Sequence, residues 1–139
     1  MSNEIRTGRH CVYELKVHLV FLAKYRRRVL TDRVLVDLEN IFTDVCKSFD
    51  ASLIEFNGEK DHVHLLVEYS PKLQLSRLVG SLKGVSARLL KSKGYSEIDR
   101  NLWGKHLWSR SYYAGSCGGV TLDVIKQYIQ NQDRPVSSP

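Results

Sequence analysis

His62, Val63 and His64 stand inside the run Asp61 to Tyr69, whose Val and Leu content reads as a buried β-strand. Successive strand side chains point to opposite faces, so the two imidazoles share one face about 6.5 Å apart along the backbone, while Val63, Leu65 and Val67 turn to the other. Neutral imidazole suits Mn, Co, Ni, Cu or Zn, and two such ligands leave room for a third protein group and for water or substrate. An isolated His-x-His pair on a strand is more often a pair of solvent-side residues, so the weight falls on what accompanies it.

Near the end of the chain Tyr128 and Gln132 are four residues apart in a helical stretch, which puts them on one face about 6 Å apart along the axis. Leu122, Ile125 and Ile129 supply an anchoring apolar stripe beside them. If this helix docks over the polar face of the sheet, Gln132 can offer its amide oxygen as the third ligand and Tyr128 can aim its hydroxyl at whatever the metal holds. The chemistry that uses these parts is phosphodiester transesterification, with the metal on a non-bridging phosphate oxygen and the phenolate attacking phosphorus in line. A phenol has a pKa of about 10, so its proton must leave with help from the metal field or a bound water. A phosphotyrosine keeps the energy of the broken bond, and a free 3′-OH can later rejoin the strand without ATP. Without the His pair, Tyr128 would read as a helix aromatic packing its ring on the sheet.

The bulk composition agrees with a polyanion partner. Net charge is +6, from 21 basic and 15 acidic residues, and the pI is about 9.3. Part of the excess is concentrated in Lys24, Tyr25, Arg26, Arg27 and Arg28, where the cations can release counterions from phosphates and the ring can stack on a base. At 139 residues the chain is expected to be one domain, residues 1–139. Its core spans about 11–117, a tyrosine-bearing helix about 121–133, and a disordered tail 136–139. No apolar run approaches the ~18 residues of a membrane span, and the segment from Met1 to Arg6 is not of signal-peptide type, so the expected location is the cytoplasm and no membrane partner is expected. Cys11, Cys46 and Cys117 are odd in number and widely spaced, which fits a reducing compartment and argues against structural zinc.

The elements that must position these groups follow from periodicity. Residues 11–22 alternate as a half-buried strand with Tyr13, Leu15, Val17, Leu19 and Phe21 on one face; His18, on the other, reads more readily as a plain surface residue than as part of a site, which is the alternative. Thr31-Asp32 caps a helix carrying Val34, Leu35, Leu38, Ile41, Phe42, Val45 and Phe49. A strand, Ser52 to Phe56, turns at Asn57-Gly58 into the His strand 61–69. A second helix runs from near Leu73 to before Gly94, with Arg77, Lys83, Arg88 and Lys91 off its apolar stripe as a solvated face or a second set of phosphate contacts. Residues 95–106 read as loop and Leu107 to Ser116 as a fourth strand. Gly118-Gly119 makes a joint, and Thr121 caps the last helix, Leu122 to about Asp133. This order, βαββαβ, is the α+β ferredoxin-like arrangement: an antiparallel sheet with two helices on one face, plus a C-terminal helix carrying the nucleophile.

The chain resembles the single-tyrosine HUH transposases of bacterial insertion sequences that move as single-stranded DNA. The resemblance runs from about Tyr13 to Pro135 and rests on five segments in order: Lys24-Tyr25-Arg26-Arg27, Asp61-His62-Val63-His64-Leu65-Leu66, Ser81-Leu82-Lys83-Gly84-Val85-Ser86, Leu107 to Tyr113, and Tyr128 to Gln132. It implies a homodimer with composite active sites in trans, the His pair from one subunit and the tyrosine helix from the other. It also implies Mg or Mn held by His62, His64 and Gln132, Tyr128 as the nucleophile giving a 5′-phosphotyrosine, and single-stranded DNA with hairpin ends as substrate. Lys24, Tyr25, Arg26, Arg27, Arg28 and Lys83 are the expected DNA contacts.

Three rivals share parts of this pattern. A non-catalytic module of the RNA-recognition type has the same fold, but the chain lacks its aromatic signature and carries His where stacking rings would stand. Relaxases place tyrosine before the His strand, and replication initiators carry further domains. A domesticated nuclease acting on repeated palindromes would show the same catalytic residues.

Overall fold

The computed structural model describes residues 5–7, 12–102, 106–116 and 122–131. Gln132, the Gly118-Gly119 joint, Thr121 and the tail 136–139 lie outside the described residues. A small hairpin, β1 (Arg6–Thr7) with β2 (Val12–Tyr13), comes first. The expected strand 11–22 is thus two strands, its second part being β3 (Leu15–Leu22). There follow α1 (Asp32–Ser48), β4 (Ser52–Gly58), β5 (His62–Tyr69), α2 (Leu75–Ser92), α3 (Ser96–Leu102), β6 (Tyr113–Ser116) and α4 (Leu122–Asn131). The main sheet is antiparallel in the order β4-β5-β3-β6, the ferredoxin-like arrangement.

Alternation decides which face is which. Val17, Leu19 and Phe21 of β3 and Val63, Leu65 and Val67 of β5 are buried against α1 and α2, together with Leu38, Phe42, Leu78 and Leu82 from the helices. Phe42 sits at the middle of an aromatic cluster, its ring 6.0 Å from Phe21 and 5.8 Å from Phe56. Trp108 packs 5.9 Å from Phe21, and its buried indole N–H donates to Ser86 Oγ at 2.9 Å, so the ring buries its area without orphaning its donor. On the opposite face a smaller cluster forms where Ile125 of α4, with Tyr128 and Ile129 beside it, packs on Val20, Leu22 and Tyr113. The last helix therefore covers the polar side of the sheet.

Three boundaries differ from the sequence reading. Asn57 and Gly58 do not form the hairpin turn: they are strand residues paired with His64 and Val63, and Lys60-Asp61 occupies the bend, closed by Glu59 N–H donating to the His62 carbonyl at 2.9 Å. An irregularity at Ile54 shifts the register by one and turns Asn57 to the His face. The Lys60 and Asp61 carbonyls accept from the Leu30 and Ala23 N–H groups at 2.9 Å each, which secures the later bend. Residues 96–102, read as loop, form α3, a helix too short to show a period; it places Ile98 in the core. The expected strand 107–116 keeps ladder pairing with β3 only over Tyr113–Ser116. Upstream, Trp108 bridges to Ala23 while Tyr113 pairs with Val20, so two surplus residues bulge out between them.

Candidate active site

Because β5 pairs with β3 and β4, its polar face is set among defined neighbours: His64 stands opposite Val20 and Asn57, and His62 opposite Leu22. Both imidazoles open into a cleft of about 510 Å³. Its sheet side is His62, His64 and Asn57 with Arg26 at the rim; its other wall is the flank of α4 bearing Ile125, Lys126, Ile129 and Gln130. The spacing of the two His on one strand face is realised, and so is the docking of the last helix over them.

Each imidazole has a partner that restricts its ring. His62 Nδ1 lies 2.8 Å from Asp61 Oδ1, while Asp61 Oδ2 takes a hydrogen bond from Arg26 Nε at 3.1 Å. The hydrogen bond to His62, with the charges of His62 and Arg26 in support, holds the buried Asp61 carboxyl below its usual range against the opposing effect of burial. His62 accordingly keeps Nε2 as its available nitrogen, the arrangement in which a ligating histidine gives its other ring N–H to a carboxylate. His64 Nε2 lies 2.8 Å from His18 Nδ1, one ring donating and the other accepting, with centroids 5.0 Å apart and planes 16° from parallel. Burial, then the neighbouring His18 and His62, lowers the pKa of His64, so it is neutral at physiological pH. A neutral imidazole is the form that binds a metal.

His18 is a correction to the sequence reading. It is half-buried and bonded to a site residue rather than a plain surface histidine, because antiparallel register sets it diagonally beside His64 across the β3-β5 ladder. Asp61 was also missed as a working residue, although it stands directly before the His-x-His triplet. The donor chemistry fits a divalent cation only in part: two imidazoles are in place, but among the described residues no group of three or more His, Cys, Asp and Glu is arranged to hold one. Gln132, the expected third ligand, is outside the described residues.

On α4, at 100° per residue, Tyr128 is turned about 200° from Lys126 and Gln130 of the cleft wall but only about 60° from Ile125, so it stands at the edge of that wall. Its ring centroid is 5.6 Å from that of Tyr113, and its hydroxyl is 3.0 Å from Ser111 Oγ. Tyr113 and His64 both pair with Val20 from opposite sides, two strand spacings or roughly 10 Å apart. Within one chain the phenol is therefore brought to the β6 side of the sheet and the imidazoles to the β5 side.

The basic cluster is partly spoken for. Lys24–Arg26 is a single 3-10 turn with Tyr25 and Arg26 at φ 59° and 52°, a left-handed conformation that turns Arg26 back to Asp61. Lys24 Nζ and Arg27 Cζ stand 5.5 and 5.2 Å from the centre of the exposed Tyr25 ring, Arg28 is exposed, and one buried Arg27 amino nitrogen, Nη1, has no hydrogen-bond partner. Lys83 is turned inward: its ammonium donates to the carbonyls of Ser109, Arg110 and Ser111 at 2.6, 3.2 and 3.3 Å. Burial lowers its pKa.

Residues 11–132 match the family described as IS200-like transposases. The chain is similar to the ISDra2 transposase TnpA of Deinococcus radiodurans, with 35% identity over 129 residues, 93% of this chain and 91% of that one. It is similar also to the transposase for insertion sequence element IS200 of Salmonella typhimurium, with 29% identity over 123 residues, 88% and 80% of the two chains. Among solved structures it superposes on a crystal structure of a Deinococcus radiodurans R1 protein with a TM-score of 0.85 and 34% identity, over 94% of this chain and 98% of that one. A REP-associated tyrosine transposase shares the fold at a TM-score of 0.55 and 10% identity, over 90% and 68%. With an antiparallel sheet that presents two histidines to a cleft, a tyrosine-bearing helix docked over that face, and these relatives over nearly its whole length, the chain belongs to the IS200-like transposase family.

Proposed function

We propose that this transposase cuts and rejoins single-stranded DNA by transesterification, with Tyr128 as the nucleophile and a 5′-phosphotyrosine as the intermediate. The observation that carries the reading is the cleft in which both imidazoles, one of them braced by Asp61, face a helix that bears the phenol. When bound, a divalent ion, Mg or Mn, held by His62, His64 and Gln132 supplies positive charge to the scissile phosphate. The chain's own residues do the rest. Asp61 and His18 fix the two rings, Arg26 lies at the rim where a phosphate enters, and Tyr128 displaces the 3′-oxygen, which leaves carrying the electron pair of the broken P–O bond. Attack by a 3′-OH on the phosphotyrosine reverses the step and frees the phenol.

The substrate we assign is a single strand with hairpin ends. The REP-associated relative is bound to a REP hairpin. Lys24 and Arg27, which stand against the exposed Tyr25 ring, and the exposed Arg28 beside them are the phosphate and base contacts in this reading. The separation of phenol and imidazoles across two strands supports a homodimer in which Tyr128 serves the His pair of the partner subunit.

The deciding experiment is a denaturing gel of the protein with labelled hairpin-bearing single strands and Mn²⁺ or Mg²⁺. The wild-type chain should form a covalent adduct; Tyr128→Phe should form none while still binding the hairpin. Adduct persisting in the Phe variant would defeat the assignment.

A further inference from the structure

The Ser81-Leu82-Lys83-Gly84-Val85-Ser86 segment of α2 and the Leu107 to Tyr113 segment are joined to each other by a set of directed bonds that the proposed cleavage does not use. Lys83 Nζ collects three consecutive carbonyls, those of Ser109, Arg110 and Ser111, and lies 5.7 Å from the centre of the Tyr112 ring and 5.9 Å from that of Phe21. One turn further along α2, Ser86 Oγ donates to the Lys83 carbonyl at 3.1 Å and accepts from Trp108 at 2.9 Å. An ammonium has three protons in a compact head, which suits three carbonyls turned to one side of a backbone bulge. Those carbonyls belong to the bulge between Trp108 and Tyr113, where the ladder pairing with β3 is interrupted and the Ser109 N–H alone is seen to reach the strand, donating to the Leu22 carbonyl at 2.8 Å.

At the end of this bulge stands Ser111, whose hydroxyl meets the phenol of Tyr128 at 3.0 Å, with the Tyr113 ring beneath. From these contacts we infer that Lys83 and Ser111 are positioning residues for the nucleophile: Lys83 shapes the 109–111 bulge so that Ser111 seats the Tyr128 hydroxyl on the β6 side, apart from the imidazoles of its own chain. The inference rests on Tyr128 being the nucleophile. In the seat the phenol oxygen is bonded to Ser111 Oγ, so attack requires that bond to break whichever subunit supplies the histidines, and the strength of the seat sets part of the barrier.

The test uses the full-length protein with 3-fluorotyrosine at position 128 for ¹⁹F NMR, and unmodified protein for adduct kinetics on a hairpin-bearing strand with Mn²⁺. Ser111→Ala, at an exposed position, should move the fluorine resonance and raise the first-order rate of adduct formation by about two- to tenfold, the worth of one hydrogen bond, with half-saturating DNA concentration unchanged. Ser111→Thr should restore both values. Lys83→Met should reproduce the shift and the acceleration, because the bulge relaxes without its clamp. An unmoved resonance in Ser111→Ala, or a rate unchanged or lowered in that folded variant, overturns the seat. If wild-type adduct maps to another residue, the nucleophile assignment fails instead, and the fluorine signal still reports whether the seat exists.

Discussion

Asp61 does two jobs with one carboxylate, taking Arg26 on one oxygen and His62 on the other, and both bonds come from the bend that begins β5. Replacing it by Asn keeps the shape and removes the charge that orders the two partners. Asp61→Asn should weaken Mn²⁺ binding by about 10- to 100-fold, read by calorimetry, as expected when the group orienting a ligating histidine is lost; unchanged affinity would remove Asp61 from the site. His64 gives the complementary experiment in pH. Its folded pKa is depressed, so well above the ordinary value it binds no proton in either state and contributes nothing to pH dependence there. As pH falls below the ordinary value of about 6.5, the unfolded chain takes up a proton that the folded chain refuses, and stability declines until the depressed folded value is passed. A ring-proton NMR titration should place the His64 midpoint below 6.5, and a midpoint at or above that value would contradict the burial argument.

At the scale of elements, α3 earns its place by tying α1 to the rest of the helical layer. Thr31, at the N-cap position of α1, makes no side-chain cap to its own helix; its hydroxyl donates to Glu97 at 2.5 Å, and Arg33 grips the same carboxylate through Nε at 2.9 Å and Nη2 at 2.6 Å. The Arg33 hydrogen bond first, and that of Thr31 second, bring the Glu97 pKa down to about 2. The sign follows from linkage: the contribution is present above the ordinary glutamate value of about 4.3 and is lost as pH falls from there toward 2. Urea melts of wild type and Glu97→Gln should therefore differ at pH 6 and converge near pH 2. A constant difference would mean that packing of α3, not the charge, carries the effect. Below the sheet the demands are apolar. Phe42→Ala, which empties the centre of the aromatic cluster, should cost about 3–5 kcal/mol in the same melts, whereas a loss under 1 kcal/mol would show that the helical layer collapses into the space.

For the whole molecule the decisive fact is that one sheet offers imidazoles on one side and receives a phenol on the other, with β3 between them. If the working site combines two subunits, mixing Tyr128→Phe chains with His64→Ala chains should restore part of the adduct formation after exchange, since one composite site in such a heterodimer keeps both intact groups. No recovery in verified heterodimers would place the site within a single chain. Much of this was legible beforehand: the period of two in β5 put His62 and His64 on one face, the 3.6-residue stripes drew α1, α2 and α4, and their order implied the ferredoxin-like sheet, because periodicity is a local property written residue by residue. What needed tertiary structure was everything that depends on which strand lies beside which and in what register. Only the β3-β5 ladder brings His18 to His64, only a one-residue irregularity at Ile54 turns Asn57 toward the site, and only the break between Trp108 and Tyr113 gives Lys83 three carbonyls to hold. A side chain's face is decided by its neighbours along the chain, but its partner is decided by residues far away in sequence, and those meet only when the sheet closes.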